Sequence, residues 1–155
     1  MGIKLSSNLP FGYKLIENRS DFGNLIGPIY SKEENNEEVF GFRAEDKHIN
    51  LGGYVHGGML SSFADVVMGQ FANRNYDSLT VTINMSVDFI NLAKKNDWVT
   101  GVSKLIKEDK KFVFLEVEVC ANSKTILFGT GVFKVIKIKD KTKYRGVRYE
   151  WKFKS

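Results

Sequence analysis

Apolar residues in this chain recur with one of two periods, and the point where the period changes constrains the fold. Leu60, Phe63, Ala64, Val67 and Phe71 recur at spacings of three and four, forming one stripe of a helix. From Leu79 the period drops to two. In "LTVTINMSVDFI" the residues Leu79, Val81, Ile83, Met85, Val87 and Phe89 share one face of an expected strand. Thr80, Thr82, Asn84, Ser86 and Asp88 take the other. "FVFLEVEVC" and "ILFGTGVFKVIKI" are strand-like too, with "KEDKK" (107–111) and "NSK" (122–124) as hairpin turns. Upstream, "GPIY" and "EVFGFRA" flank the polar "SKEENNEE", which reads as a hairpin with a solvated tip. Residues 11–27 read as a short helix and a turn. One long helix must therefore cover the whole sheet. The expected class is α+β, with a single helix against an antiparallel sheet whose last four strands form a meander.

A length of 155 residues suits one domain with a substantial core. The lone cysteine, Cys120, excludes an internal disulfide framework and fits a reducing compartment. No run of about 18 apolar residues is present to span a membrane. The N-terminus lacks the apolar stretch of a signal peptide, so the expected location is the cytoplasm. The formal charge of +5 raises nucleic-acid binding, but the charge is concentrated in one place. Residues 137–155 hold eight of the 23 basic and two of the 18 acidic residues, leaving 15 against 16 elsewhere. The expected organisation is a domain over 1–136 and a basic tail over 137–155, and a near-neutral domain argues against nucleic acid. The tail reads as solvated, or as a source of cations for phosphate groups.

The start of the helix is unusual. "HINLGGYVHGGMLSSFADVVMGQFAN" puts His56-Gly57-Gly58, poor helix formers, at its entrance and the carboxylate of Asp65 among its apolar positions. A helix N-terminus offers unpaired N–H groups and a positive dipole end. Gly57 and Gly58, having no Cβ, allow a ligand close to that backbone. On a helical wheel Asp65 falls at about 140° from Leu60 and Ser61 at about 100°, flanking the core stripe. A carboxylate there can activate a water. Taken singly, these residues have plainer readings: a solvated Asp, a loop of glycines, His48 on the surface and Cys120 in the core.

Asn50-x-x-Gly53-x-x-His56-Gly57-Gly58, with Asp65 nine residues after the histidine and strands following, resembles the signature of hotdog-fold acyl-CoA thioesterases of the phenylacetate-pathway (PaaI) type. The resemblance covers roughly residues 22–136. It implies a hotdog fold and hydrolysis of a fatty or aromatic acyl-CoA to free acid and CoA, without metal or cofactor. It assigns oxyanion stabilisation to the amide of Gly57 with the side chain of Asn50, and loop bracing to His56. Water activation falls to Asp65, as base or as nucleophile, helped by Thr82; Gly58 and Ser61 would contact substrate. It also implies a homodimer or homotetramer with active sites between subunits. Met59, Phe63, Met68 and Phe71 are candidate tunnel residues. The alternative is a non-catalytic acyl-CoA-binding hotdog domain acting as a sensor or regulator; the spacing fits a hotdog dehydratase poorly.

Overall fold

The computed structural model describes residues 9–16, 20–76 and 79–136; the basic tail over 137–155 lies outside the described residues. In chain order the elements are β1 (Lys14–Leu15), α1 (Asp21–Ile26), β2 (Tyr30–Glu34), β3 (Glu37–Arg43), α2 (Gly57–Asn75), β4 (Leu79–Phe89), β5 (Trp98–Glu108), β6 (Phe112–Ala121) and β7 (Lys124–Ile136). They form one seven-stranded sheet in the order β1-β2-β3-β5-β6-β7-β4, antiparallel at every pairing. With α2 packed across one face, this is the hotdog architecture.

The turns follow their residue types. Asn35 and Asn36, at φ of 52° and 62°, make the tight β2–β3 turn; Asn122 and Ser123, at 51° and 61°, make the β6–β7 turn. Residues with short polar side chains tolerate this left-handed backbone, whose twist suits two-residue hairpins. The expected four-strand meander is corrected. Of these four, β5, β6 and β7 follow one another across the sheet, and β4 pairs with β7 at the far edge.

A second correction concerns the faces of β4. Thr82 lies opposite Phe133 while Asn84 lies opposite Val132, so Ile83 is an extra residue with no partner. Such a bulge shifts the phase of a strand by one and exchanges its faces. Thr80 and Thr82 therefore face α2 before the bulge, and Met85 and Val87 face it afterwards. Val81 lies opposite Lys134 on the outer face, and Ile83 is 54% exposed. The continuous apolar face expected from Leu79 to Phe89 is broken where the helix needs polar neighbours.

The core lies between α2 and the sheet. Met59, Leu60, Phe63, Ala64, Val67, Met68 and Ala72 are all buried, and Phe63 meets Phe42 edge-on with centroids 4.8 Å apart. Met59, Phe63 and Met68 are part of the core, and Phe71 is half-buried against it. Cys120, expected in the core, is half-buried and alternates with buried Val119 and Ala121, so it turns to the outer face. At its C-terminal end α2 is tied to the sheet by an ion pair between Arg74 and Glu38 of β3.

Glycines mark where the helix comes closest. A Cβ on Gly101 would stand 2.9 Å from Phe63 Cε1 and 3.0 Å from Val67 Cγ2; one on Gly131 would stand 2.8 Å from Met68 Sδ. Because protein interiors are close-packed, added volume forces neighbours out of place. Gly101→Ala is expected to destabilise the fold by about 1–3 kcal/mol, measured from the urea midpoint. An unchanged midpoint would mean that α2 and β5 separate freely.

Candidate active site

The loop between β3 and α2 is held by its own polar groups. The Asn50 side-chain oxygen accepts from the N–H groups of Gly52 (2.9 Å) and Tyr54 (3.2 Å). Its backbone N–H donates to the Tyr54 carbonyl at 2.8 Å, and its carbonyl accepts from Gly53 at 3.0 Å. Gly53 closes this turn with φ of 83°, where a side chain would be strained. Two backbone donors fix which way the amide of Asn50 points. Its Nδ2 has no acceptor among the described residues, so a pre-oriented donor remains available.

Helix α2 begins one residue after His56, which caps it. The His56 Nδ1 accepts the Gly58 N–H at 2.8 Å, and its carbonyl accepts from Leu60 at 3.1 Å. The accepting Nδ1 places the ring proton on Nε2, and the basic lone pair is already used. His56 thus braces the first turn of α2 through its cap. The Gly57 N–H finds no acceptor among the described residues, and no acidic residue in the first turn offsets the dipole there. This is the arrangement that receives developing negative charge.

The two glycines answer to the protein's own rings. A Cβ on Gly58 would stand 3.1 Å from His56 Nδ1, and one on Gly57 would stand 3.2 Å from Cζ of Phe89. Gly58 thus admits the cap, and Gly57 seats the ring of Phe89. The sequence reading missed Phe89, since it looked like any other apolar strand residue.

Farther along α2, Thr82 Oγ1 donates to Asp65 Oδ1 at 2.7 Å. The bulge at Ile83 is what turns Thr82 toward the helix. Thr80 makes a parallel contact about two turns on, its hydroxyl reaching the side-chain oxygen of Asn73 at 2.8 Å. Asp65 is half-buried with its second oxygen free of described donors. Ser61 is half-buried with no described hydrogen bond, whereas Ser62 donates to the Gly58 carbonyl at 2.8 Å. Thus one protomer gathers Asn50, His56, Gly57 and Gly58 at the helix start and Asp65 with Thr82 eight residues on. At 1.5 Å per residue, Gly57 and Asp65 are roughly 12 Å apart along the axis. No group of three or more His, Cys, Asp or Glu suited to a metal occurs among the described residues.

His48 is a further correction. Expected on the surface, it is 3% exposed, with its ring edge-on to Phe42 at 5.2 Å between centroids. Nδ1 accepts from the Glu45 N–H at 3.0 Å and Nε2 donates to the Ile26 carbonyl at 3.0 Å. The His48 carbonyl accepts the His56 N–H at 2.8 Å. One side chain thereby ties α1 to the loop that enters α2, through a partner 22 residues away that no local pattern reveals. Burial, with Lys47 adding to it, pushes the imidazole below its ordinary pKa.

A folded-state histidine with a depressed pKa binds fewer protons than the unfolded chain. Its stabilising contribution is present above the unfolded value of about 6.5 and declines as pH falls below it toward the folded pKa. The melting temperature should therefore drop between about pH 6.5 and 5, before most carboxylates titrate. His48→Gln should flatten that segment while lowering stability at pH 7.5. A wild-type profile as flat as the variant's would refute the neutral latch.

Three comparisons bear on this geometry. The thioesterase superfamily profile matches residues 52–127, which include Gly57, Asp65 and Thr82 but not Asn50. The Pseudomonas aeruginosa protein PA0474, which carries the name of an esterase, is 28% identical over 129 residues, covering 81% of this chain and 96% of its own. The PaaI protein from the Escherichia coli phenylacetic acid degradation operon superposes with a TM-score of 0.68 at 19% identity, over 76% of this chain and 86% of that one. Bacillus halodurans BH2602, solved with CoA, superposes with a TM-score of 0.69 at 21% identity, over 77% and 81%. At those identities the structural likeness speaks to the fold, while the profile match falls on the helix entrance and the strands around it: over residues 52–127 this chain matches the thioesterase superfamily.

Proposed function

We propose that this protein is an acyl-CoA thioesterase, and that the open Gly57 amide at the start of α2 carries the reaction. The thioester oxygen accepts from Gly57 N–H and from Asn50 Nδ2. One such donor is typically worth about 3–4 kcal/mol once the oxygen becomes an oxyanion. Asp65, with Oδ1 held by Thr82, uses its other oxygen to take a proton from a water as that water attacks the carbonyl carbon. The tetrahedral intermediate collapses, the C–S bond breaks, the CoA sulfur leaves with a proton, and the free acid remains. His56 holds the amide in place, while Gly58 and Ser61 lie beside the bound ester. No metal or cofactor takes part. The CoA seen with the Bacillus halodurans neighbour favours CoA esters over other thioesters.

The separation of Gly57 from Asp65 calls for two chains. One thioester cannot lie within about 3 Å of both the amide and the activated water when they are roughly 12 Å apart on one axis. Among the described residues β4 pairs only with β7, which leaves its other edge open. A second copy whose β4 runs antiparallel along that edge, about a two-fold axis near Ser86, would set Phe89 and Gly57 of one chain beside Thr82 and Asp65 of the other. We read the active unit as such a homodimer, alone or paired into a tetramer. We read it as a cytoplasmic enzyme without nucleic-acid partners, since the chain outside residues 137–155 is near neutral; no helix among the described residues is long and apolar enough to cross a membrane.

Asp65→Ala should lower kcat by at least about 10²-fold in a thiol-release assay on acyl-CoA esters, with binding of a non-hydrolysable analogue retained. Binding without thiol release by the wild type would instead identify a sensor. Mixed and refolded Asn50→Ala and Asp65→Ala subunits should regain roughly a quarter of wild-type activity, since half the dimers are hybrids with one intact site each. A mixture that stays inactive although hybrids form would rule out the shared site.

A further inference from the structure

Phe89 occupies a position that the reaction scheme leaves without a purpose. Its ring atoms Cζ, Cε1 and Cε2 lie 3.2, 3.3 and 3.8 Å from where a Cβ of Gly57 would stand, so the ring packs directly on that glycine. Yet the residue is 55% exposed. A large aromatic left this open beside an uncommitted amide is a contact surface awaiting an apolar partner. The backbone around it is fixed: Phe89 pairs with Leu127, and the Ile90 N–H donates to the Ile126 carbonyl at 2.9 Å. The chain beyond runs along the catalytic loop, where the Val55 N–H donates to the Ala93 carbonyl at 2.8 Å. Ile90 and Leu92 on this segment, and Leu51 on the loop, are exposed as well, at 53%, 65% and 110%. Of these apolar groups Phe89 is the one set against Gly57, on a strand end that the backbone holds in place.

We propose that Phe89 is the specificity-determining wall of the acyl site, and that it selects acyl groups that are apolar at their first carbons over hydroxylated ones. This inference rests on the thioesterase reading. An ester whose carbonyl oxygen sits on Gly57 N–H, about 3 Å away, brings its α and β carbons within contact of the ring. Methylenes there exchange water for an aromatic surface. A hydroxyl at the β carbon would lose its water and meet a ring with no acceptor or donor to offer, which costs free energy. An apolar wall rejects an added hydroxyl by ~10²-fold at most, so the selection is for a class and not for one acid.

The test uses butyryl-CoA and 3-hydroxybutyryl-CoA, which differ by that hydroxyl alone, on the full-length wild type, Phe89→Ala and Phe89→Leu. The wild type should favour butyryl-CoA by ~10²-fold in kcat/KM. Phe89→Ala should cut that preference at least ~10-fold, and Phe89→Leu, still apolar, should stay within ~3-fold of wild type. A preference unchanged in Phe89→Ala overturns the proposal. So does an equal loss on both esters, which would mark a role in folding or in seating the pantetheine arm. Binding of the matching S-butyl and S-(3-hydroxybutyl) thioethers of CoA is measured in parallel by calorimetry. If no ester is hydrolysed but the thioethers show the same Phe89-dependent preference, the thioesterase reading falls and the role of Phe89 stands. Failure of both thioethers to bind the wild type overturns the role as well.

Discussion

Everything in this fold depends on how closely one helix approaches one sheet. Nineteen residues of α2 bury their apolar stripe against β5, β6 and β7. The helix can lie that low because Gly101 and Gly131 present no side chain beneath Phe63, Val67 and Met68. With no second long helix among the described elements to share the work, the position of α2 is set by packing and not by helix propensity. Its N-terminus is then held where the loop from β3 delivers it.

That delivery is done by polar groups that the core cannot supply. His48 bridges α1 and the loop, and its carbonyl holds His56; His56 in turn caps Gly58. The chain of bonds ends at Gly58, beside the open amide of Gly57. Buried polar groups cost heavily when unpaired, so His48 is stable only with both ring nitrogens engaged. The consequence is a rigid loop around the free donors of Gly57 and Asn50. A donor that needs no reorganisation is the kind that stabilises a transition state well.

The strand beside the helix shows how local irregularity serves the site. A regular β4 would present Val81 and Ile83 to α2, leaving Asp65 against hydrocarbon. One extra residue at Ile83 exchanges the faces, bringing Thr82 to Asp65 while keeping Met85 and Val87 on the core side. In the proposed dimer the edge of the same strand that is open among the described residues would also bring Gly57 of one chain to Asp65 of the other.

Much of this was legible from residue order alone. The change from a 3.6 to a 2.0 period located α2 and the strands, because periodicity depends only on which residues face a common core. The Asn–Gly–His-Gly-Gly–Asp spacing located the helix entrance, because caps and turns are built from neighbours in the chain. Asn35-Asn36 and Asn122-Ser123 marked turns for the same local reason. What depended on distant partners was not legible. The place of β4 beside β7, the bulge at Ile83 and the outward turn of Cys120 are decided by sheet pairing, which joins residues tens of positions apart. Burial of His48 needed the Ile26 carbonyl, and the seating of Phe89 on Gly57 needed the far end of β4 to return to the helix start. Sequence by itself determined the elements and the candidate site residues; only the tertiary structure decided which groups meet, because those contacts are made by packing between segments that carry no local mark of one another.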